Sequence, residues 1–268
     1  MPQPNQITPA QLLRLAGTPD CPALVDVRLP EDLAREPRLI PGSFALPHTA
    51  CDPAPNRLRG AGRVVVICAR GRKLSEGVAA LLRAQGIPAE VLEGGAVAWA
   101  EAGLPMVPQA ALPPGNLWVT RHRPKIDRIA CPWLIRRFID PTARFLFVAP
   151  SEVLAVAERF AATPFDIEGT FWSHRGEACT FDTMLTEWGL QTEALSRLAL
   201  VVRAADTDRH DLSPQAAGLL ALSVGLSRLY RDDLEQLSAG LTLYDALYRW
   251  ARDGHDETHD WPSPGAAK

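Results

Sequence analysis

The 268-residue sequence predicts an α/β first unit followed by a mostly helical, α+β second unit, on three observations. Short β-branched runs alternate with amphipathic stretches up to Pro105. A proline cluster then interrupts the chain, and beyond it apolar residues recur mainly with helical spacing. The expected division is a first domain over 1–107, a linker over 108–116, a second domain over 117–253 and a disordered tail over 254–268.

Taken in order, Leu24-Val25-Asp26-Val27-Arg28 is a short strand ending in charge. Val64-Val65-Val66-Ile67 is a buried strand, and Leu74 to Arg83 follows as an amphipathic helix. Between Pro105 and Pro114, four prolines in ten positions favour an extended, semi-rigid linker. Leu117–Thr120 and Arg144–Ala149 read as strands. Between them, apolar residues at 126, 129, 130, 133, 134 and 138 mark a helix over Ile126–Ile139, with Pro132 near its start or kinking it. Further helices are expected at Ser151–Ala162, Phe181–Trp188 and Leu198–Ala205. Ser213-Pro214 is expected to cap a run to Leu229, and the last helix covers Thr242–Arg252.

Cys68 ends the strand at Ile67. A lone cysteine there is most often a structural core residue. Against that, Arg70, Arg72 and Lys73 bring three cations beside it, and Gly71 loosens a loop that opens into a helix N-terminus. Loop amides, helix dipole and cations together lower a thiol pKa from roughly 8.5 toward neutrality and create an anion site. A Cys-x5-Arg phosphatase loop would need arginine at position 74, which is leucine, and Ile67 precedes the thiol. Sulfur chemistry fits better.

The loop stands in an ordered set: Leu24–Arg28, Pro30-Glu31-Asp32, Ile40-Pro41-Gly42-Ser43, Val91-Leu92-Glu93-Gly94-Gly95-Ala96-Val97-Ala98-Trp99 and Gly103-Leu104-Pro105. This set resembles the rhodanese (sulfurtransferase) family over residues 6–107. The resemblance implies a three-layer domain around a parallel sheet. It implies that Cys68 takes a sulfane sulfur from thiosulfate or a persulfide and passes it to an acceptor thiol or cyanide, with no cofactor required. Ala69, Arg70, Gly71, Arg72 and Lys73, with Asp26 and Arg28, are the expected active-site and anion-binding residues. Two positions depart from the family pattern: Lys73 stands where relatives often carry Ser or Thr, and Leu39 replaces the usual His before Ile-Pro-Gly.

Composition sets bounds. Hydrophobic content of 47% with 22% charged residues predicts a soluble protein with a sizeable core. A net charge of −3 gives no overall attraction for nucleic acid or an acidic membrane surface. Five scattered cysteines without a CxxC pair predict reduced thiols and a cytoplasmic location. No signal peptide or membrane span is expected.

Three polar blocks crowd the second unit: 121–128, 173–182 and 203–212. They carry Ile126-Asp127-Arg128, Trp133-Leu134-Ile135-Arg136-Arg137-Phe138-Ile139-Asp140, His174-Arg175-Gly176 and Cys179-Thr180-Phe181, with Ala216-Ala217-Gly218 beyond. Together these resemble the C-terminal domain of ChrB-like chromate-resistance proteins over residues 117–252. The resemblance implies a role in chromate resistance, as a regulator or an accessory protein. From the residues themselves, a divalent metal such as zinc or iron would be held by His174, Cys179, Asp182, Asp206 and His210, although their spacing matches no standard zinc motif. Alternatively, arginine forks at Arg121, Arg128 and Arg136 suit chromate or another tetrahedral oxyanion. Both sets also have ordinary readings as helix caps and solvated faces. DNA is the weakest partner: no helix-turn-helix stands out, and only the arginine-rich 121–137 block offers it a surface. The competing overall reading is a chromate- or redox-responsive regulator, or a metal-binding accessory protein, in which turnover is unimportant.

Overall fold

The computed structural model describes residues 5–258. Strands of the first unit are β1 (Gln6–Ile7), β2 (Ala23–Asp26), β3 (Arg38–Leu39), β4 (Ser43–Ala45), β5 (Val64–Ile67), β6 (Ala89–Leu92) and β7 (Val107–Pro108). Its helices are α1 (Pro9–Leu15), α2 (Pro30–Arg35), α3 (Asn56–Arg59), α4 (Lys73–Ala84) and α5 (Gly95–Glu101). The main sheet is parallel throughout, in the order β1-β6-β5-β2-β4. Val64, Val66 and Cys68 face a core with Leu58 of α3 and Val78 and Leu82 of α4. Val65 and Ile67 face another with Leu12 of α1 and Trp99 of α5. The two-residue alternation thus buries both faces of β5 under helices, giving three layers and an unbroken apolar strand.

The second unit has a small parallel sheet, order β10-β8-β9, from β8 (Leu117–Arg121), β9 (Arg144–Val148) and β10 (Thr163–Pro164). Its helices are α6 (Asp127–Leu134), α7 (Val153–Phe160), α8 (Thr180–Glu187), α9 (Glu193–Asp206), α10 (Ala216–Leu229) and α11 (Asp233–Arg249). One core holds Trp118, Trp133 and Trp188, each fully buried. Pro132 lies inside α6, and the helix passes directly into a π turn over Ile135–Ile139. The proline removes one intrahelical donor, so the ladder loosens rather than stops.

Three expected boundaries move. Helix α11 begins at Asp233 instead of Thr242, because Asp232 accepts from the Leu234 and Glu235 amides at 2.9 Å. Gly240 is no breaker: it lets α11 approach α6 so closely that a Cβ there would meet Ile129 Cγ2 at 2.6 Å. Helix α10 starts at Ala216, and Ser213 bonds to the Gln215 side chain instead of capping. Of the tail expected over 254–268, residues 259–268 lie outside the described residues, and Gly254 closes a π turn.

The proline-rich segment is built into both units. Val107 and Pro108 form β7, which pairs antiparallel with β3, and Trp188 donates to the Ala111 carbonyl at 3.1 Å. The units also touch directly. Gly17, at φ +75°, gives way to the Phe138 ring, and Arg57 pairs with Asp140 at 3.0 Å.

Candidate functional site

Two constellations emerge, one in each unit. In the first, Cys68 follows β5 and is 5% exposed. The loop 69–72 leads into α4, whose N-cap residue Arg72 makes no side-chain capping bond, so the first amides of this helix remain open to the loop. Gly71 and Gly95 both adopt positive φ. A Cβ on Gly71 would overlap the Leu92 carbonyl oxygen, and one on Gly95 would overlap that of Cys68. The loop therefore lies flat on the N-terminus of α5, where Ala96 and Val97 amides donate to the Cys68 and Ala69 carbonyls at 2.9 and 3.0 Å. Arg70, Arg72 and Lys73 are exposed, and none of them forms an ion pair among the described residues.

Beside the thiol, Ser75 Oγ sits 3.0 Å from Cys68 Sγ and donates to the Arg72 carbonyl at 3.0 Å. A cavity of about 280 Å³ adjoins the loop, with Arg28, Arg35, Ala69 and Arg70 in its wall. Asp26 and Arg28 shape this wall from behind. Arg28 Nε contacts both Asp26 carboxylate oxygens at 3.0 and 2.8 Å, and its other nitrogens reach the Glu36 and Arg38 carbonyls at 3.0 and 2.7 Å. The pair is fully buried and ties the end of β2 to the α2–β3 turn.

In the second unit, His174 Nε2 lies 3.5 Å from Asp127 Oδ2, 3.4 Å from Asp166 Oδ1 and 3.3 Å from Asp206 Oδ2. Four elements supply these groups. Asp127 opens α6 and is 1% exposed, with its carboxylate accepting from the Thr180 and Phe181 amides at the start of α8 at 2.6 and 3.4 Å. Asp166 follows β10 at φ +53°, Asp206 ends α9, and His174 comes from the loop before α8. Burial pushes the Asp127 carboxyl up to about 7, against the pull of His174. Burial acts on Asp166 too, but hydrogen bonds from His174 and Arg121 and the charges of Arg121 and Arg128 hold it below the usual range. The three carboxylates raise His174 to about 12.

The remaining expected ligands lie elsewhere. Cys179 is the buried N-cap of α8, and Asp182 accepts from its amide at 3.1 Å and its thiol at 3.3 Å while facing Arg203. His210 lies 3.6 Å from the exposed Asp208. The three arginines also part. Arg121 and Arg128 both reach Asp166 Oδ2, at 2.9 and 3.3 Å, whereas Arg136 donates to the Ala143 carbonyl and stacks on Phe145.

Two family profiles divide the chain as its folds do. That of the rhodanese-like domain matches residues 8–102, and that of the ChrB C-terminal domain matches residues 118–251, half of the chain. The chain belongs to the ChrB C-terminal domain family. Its first unit is a rhodanese-like domain, of the sulfurtransferase superfamily. Protein ChrB of Cupriavidus metallidurans is 34% identical over 141 residues, covering 50% of this chain and 40% of that protein, so the chain spans less than half of this relative. Among solved structures, a rhodanese-related protein from Thermoplasma volcanium is 28% identical over 38% of this chain and 97% of its own, with TM-score 0.33. A thiosulfate sulfurtransferase from Pseudomonas aeruginosa is 30% identical over 39% of this chain and 19% of its own, also with TM-score 0.33.

All four members of the histidine–aspartate cluster fall within the matched ChrB domain. Sequence reasoning found His174 and Asp206 but missed Asp127, Asp166 and, in the rhodanese-like domain, Ser75. Asp127 stood in view beside Ile126, where it reads as an ordinary first-turn acid. Asp166 lies outside all three polar blocks. Ser75 carried a signal: it is the third residue of the helix that opens after the loop from a strand-end cysteine, in the turn nearest the thiol.

Proposed function

We propose that this protein transfers sulfane sulfur at Cys68, from thiosulfate or a small persulfide to an acceptor thiol, in cells resisting chromate. The observation carrying this reading is the seat of Cys68: a thiol 3.0 Å from Ser75 in the first turn of α4, after a loop whose Arg70, Arg72 and Lys73 are exposed and free of ion pairs among the described residues. The Cys68 thiolate attacks the outer sulfur of thiosulfate. A new S–S bond forms, the old one breaks, and sulfite leaves with the electron pair. Loop amides with Arg70, Arg72 and Lys73 hold the dianion and the departing charge. The acceptor thiolate then attacks the outer sulfur of the Cys68 persulfide and regenerates the Cys68 thiolate. No cofactor enters these steps. The five free cysteines fit a reducing compartment such as the cytoplasm, and no helix among the described residues is long and apolar enough to cross a membrane.

The test is thiosulfate turnover. Cys68→Ser abolishes it, while Cys131→Ser, which changes a core thiol, leaves it intact; full activity in Cys68→Ser overturns the assignment. The link to chromate rests on membership of the ChrB domain family. A regulator acting on DNA is the competing reading, and it has less free charge to use than the sequence offered, because Arg121 and Arg128 are both engaged by Asp166. Specific DNA retention that chromate reverses would favour the regulator, and turnover without any such effect the enzyme.

A further inference from the structure

With His174 neutral, as a metal ligand must be, the two arginines carry less charge than the three carboxylates around it. Arg121 and Arg128 both turn to Asp166. Asp127 and Asp206 are left with His174 as their one ion-pair partner among the described residues. Asp127 is almost completely buried, where a carboxylate needs a positive partner as well as the α8 amides it accepts from.

The spacing is equally telling. The imidazole nitrogen stands 3.3–3.5 Å from the carboxylate oxygens, beyond the 2.7–2.9 Å of a charge-assisted hydrogen bond. Two ligand atoms bound at about 2.0–2.1 Å to one tetrahedral ion stand roughly 3.4 Å apart. One ligand atom each from Asp127, His174 and Asp206 lies within 4.8 Å of the other two. Both carboxylates that lack an arginine therefore belong to the one group among the described residues whose atoms could surround an ion. Beside it, a cavity of about 660 Å³ is lined by His174, Asp166, Arg121 and Ser173, which leaves room for water as a further ligand.

We propose that Asp127, Asp206 and neutral His174 bind one divalent first-row transition metal ion, with Asp166 orienting the cluster from the Arg121–Arg128 side. Two carboxylates balance the ion's charge, and the imidazole supplies the nitrogen that favours zinc, iron or manganese over magnesium or calcium. The Asp127 oxygens accept backbone amides of α8, the kind of outer hydrogen bond that fixes a ligating carboxylate. Thiolate ligation has no part, since Cys179 points at Asp182. The site lies in the ChrB domain and is independent of sulfur transfer.

The experiment is elemental analysis with zinc titration of full-length protein, followed by Fe²⁺ and Mn²⁺ under reducing conditions. Wild type and Cys68→Ser bind one equivalent, which keeps this outcome separate from that of sulfur transfer. His174→Ala and Asp206→Asn each weaken binding by at least about 100-fold. His210→Ala, altered outside the cluster, binds as wild type does. His174→Gln keeps the test open should the alanine variant lose its circular-dichroism signature. No binding of zinc, iron or manganese by wild type, or undiminished binding in folded His174 variants, overturns the proposal.

Discussion

Replacing Gly95 by alanine probes how the Cys68 loop is held. Gly95 sits at φ +63°, and its absent Cβ would overlap the Cys68 carbonyl oxygen while lying 2.6 Å from the Gly71 nitrogen and 2.8 Å from the Ala69 carbonyl carbon. All three are backbone atoms, so no flexible side chain can yield. The left-handed backbone costs an alanine about 1–2 kcal/mol, and forced displacement of packed atoms adds about 1–3 kcal/mol. Gly103 supplies the control. Its φ is +66°, nearly the same, yet no heavy atom lies within 4 Å of its Cβ position. Gly103→Ala therefore carries the backbone cost alone. Urea unfolding followed through buried Trp99 should give Gly95→Ala the larger loss, by about 1–3 kcal/mol at unchanged slope. Thiosulfate turnover should fall in Gly95→Ala under conditions where it is still folded, and not in Gly103→Ala. Equal losses in the two variants would refute the close seating of the loop on α5.

Two further outcomes are expected. Asp26→Asn leaves the buried Arg28 guanidinium facing only carbonyls and should cost about 3–5 kcal/mol, whereas the double change Asp26→Asn, Arg28→Met should cost less than the single one; urea midpoints of both variants check this. Cys21, its thiol pushed by burial from 9.0 to about 11, is about 1% thiolate at pH 9 instead of half. Its alkylation by iodoacetamide, read by mass spectrometry, should rise about ten-fold per unit between pH 8 and 10 in folded protein and should already be fast at pH 9 in urea.

Elements that follow from local chemistry were legible in the sequence. Strand β5, the cysteine loop and α4 are written within twenty residues of one another, and period and loop composition suffice to place them. Boundaries that depend on distant contacts were not. The seven residues of α11 before Gly240 continue through that glycine, which meets Ile129 across more than a hundred positions. Likewise the prolines of 105–114 read as a tether, and only the pairing of Val107 and Pro108 with β3 makes them part of the first unit.

The same distinction governs the second unit's chemistry. Arg121, Arg128 and Arg136 look alike in sequence, three of six cations crowded into seventeen residues. In the fold, Arg121 closes β8 and Arg128 lies one residue into α6, so both converge on Asp166, while Arg136 falls in the π turn beyond Pro132 and faces Phe145. A charge run along the chain thus becomes two separate functions, neutralising a buried carboxylate and bracing a core edge. Both arginines thus face a single carboxylate, Asp166, and neither reaches Asp127 or Asp206 as an ion pair. Asp127 and Asp206 keep His174 as their one ion-pair partner among the described residues. An arginine count points to an anion in this domain, whereas the pairing of Arg121 and Arg128 with Asp166 leaves two carboxylates and an imidazole together, the donor set of the proposed cation site.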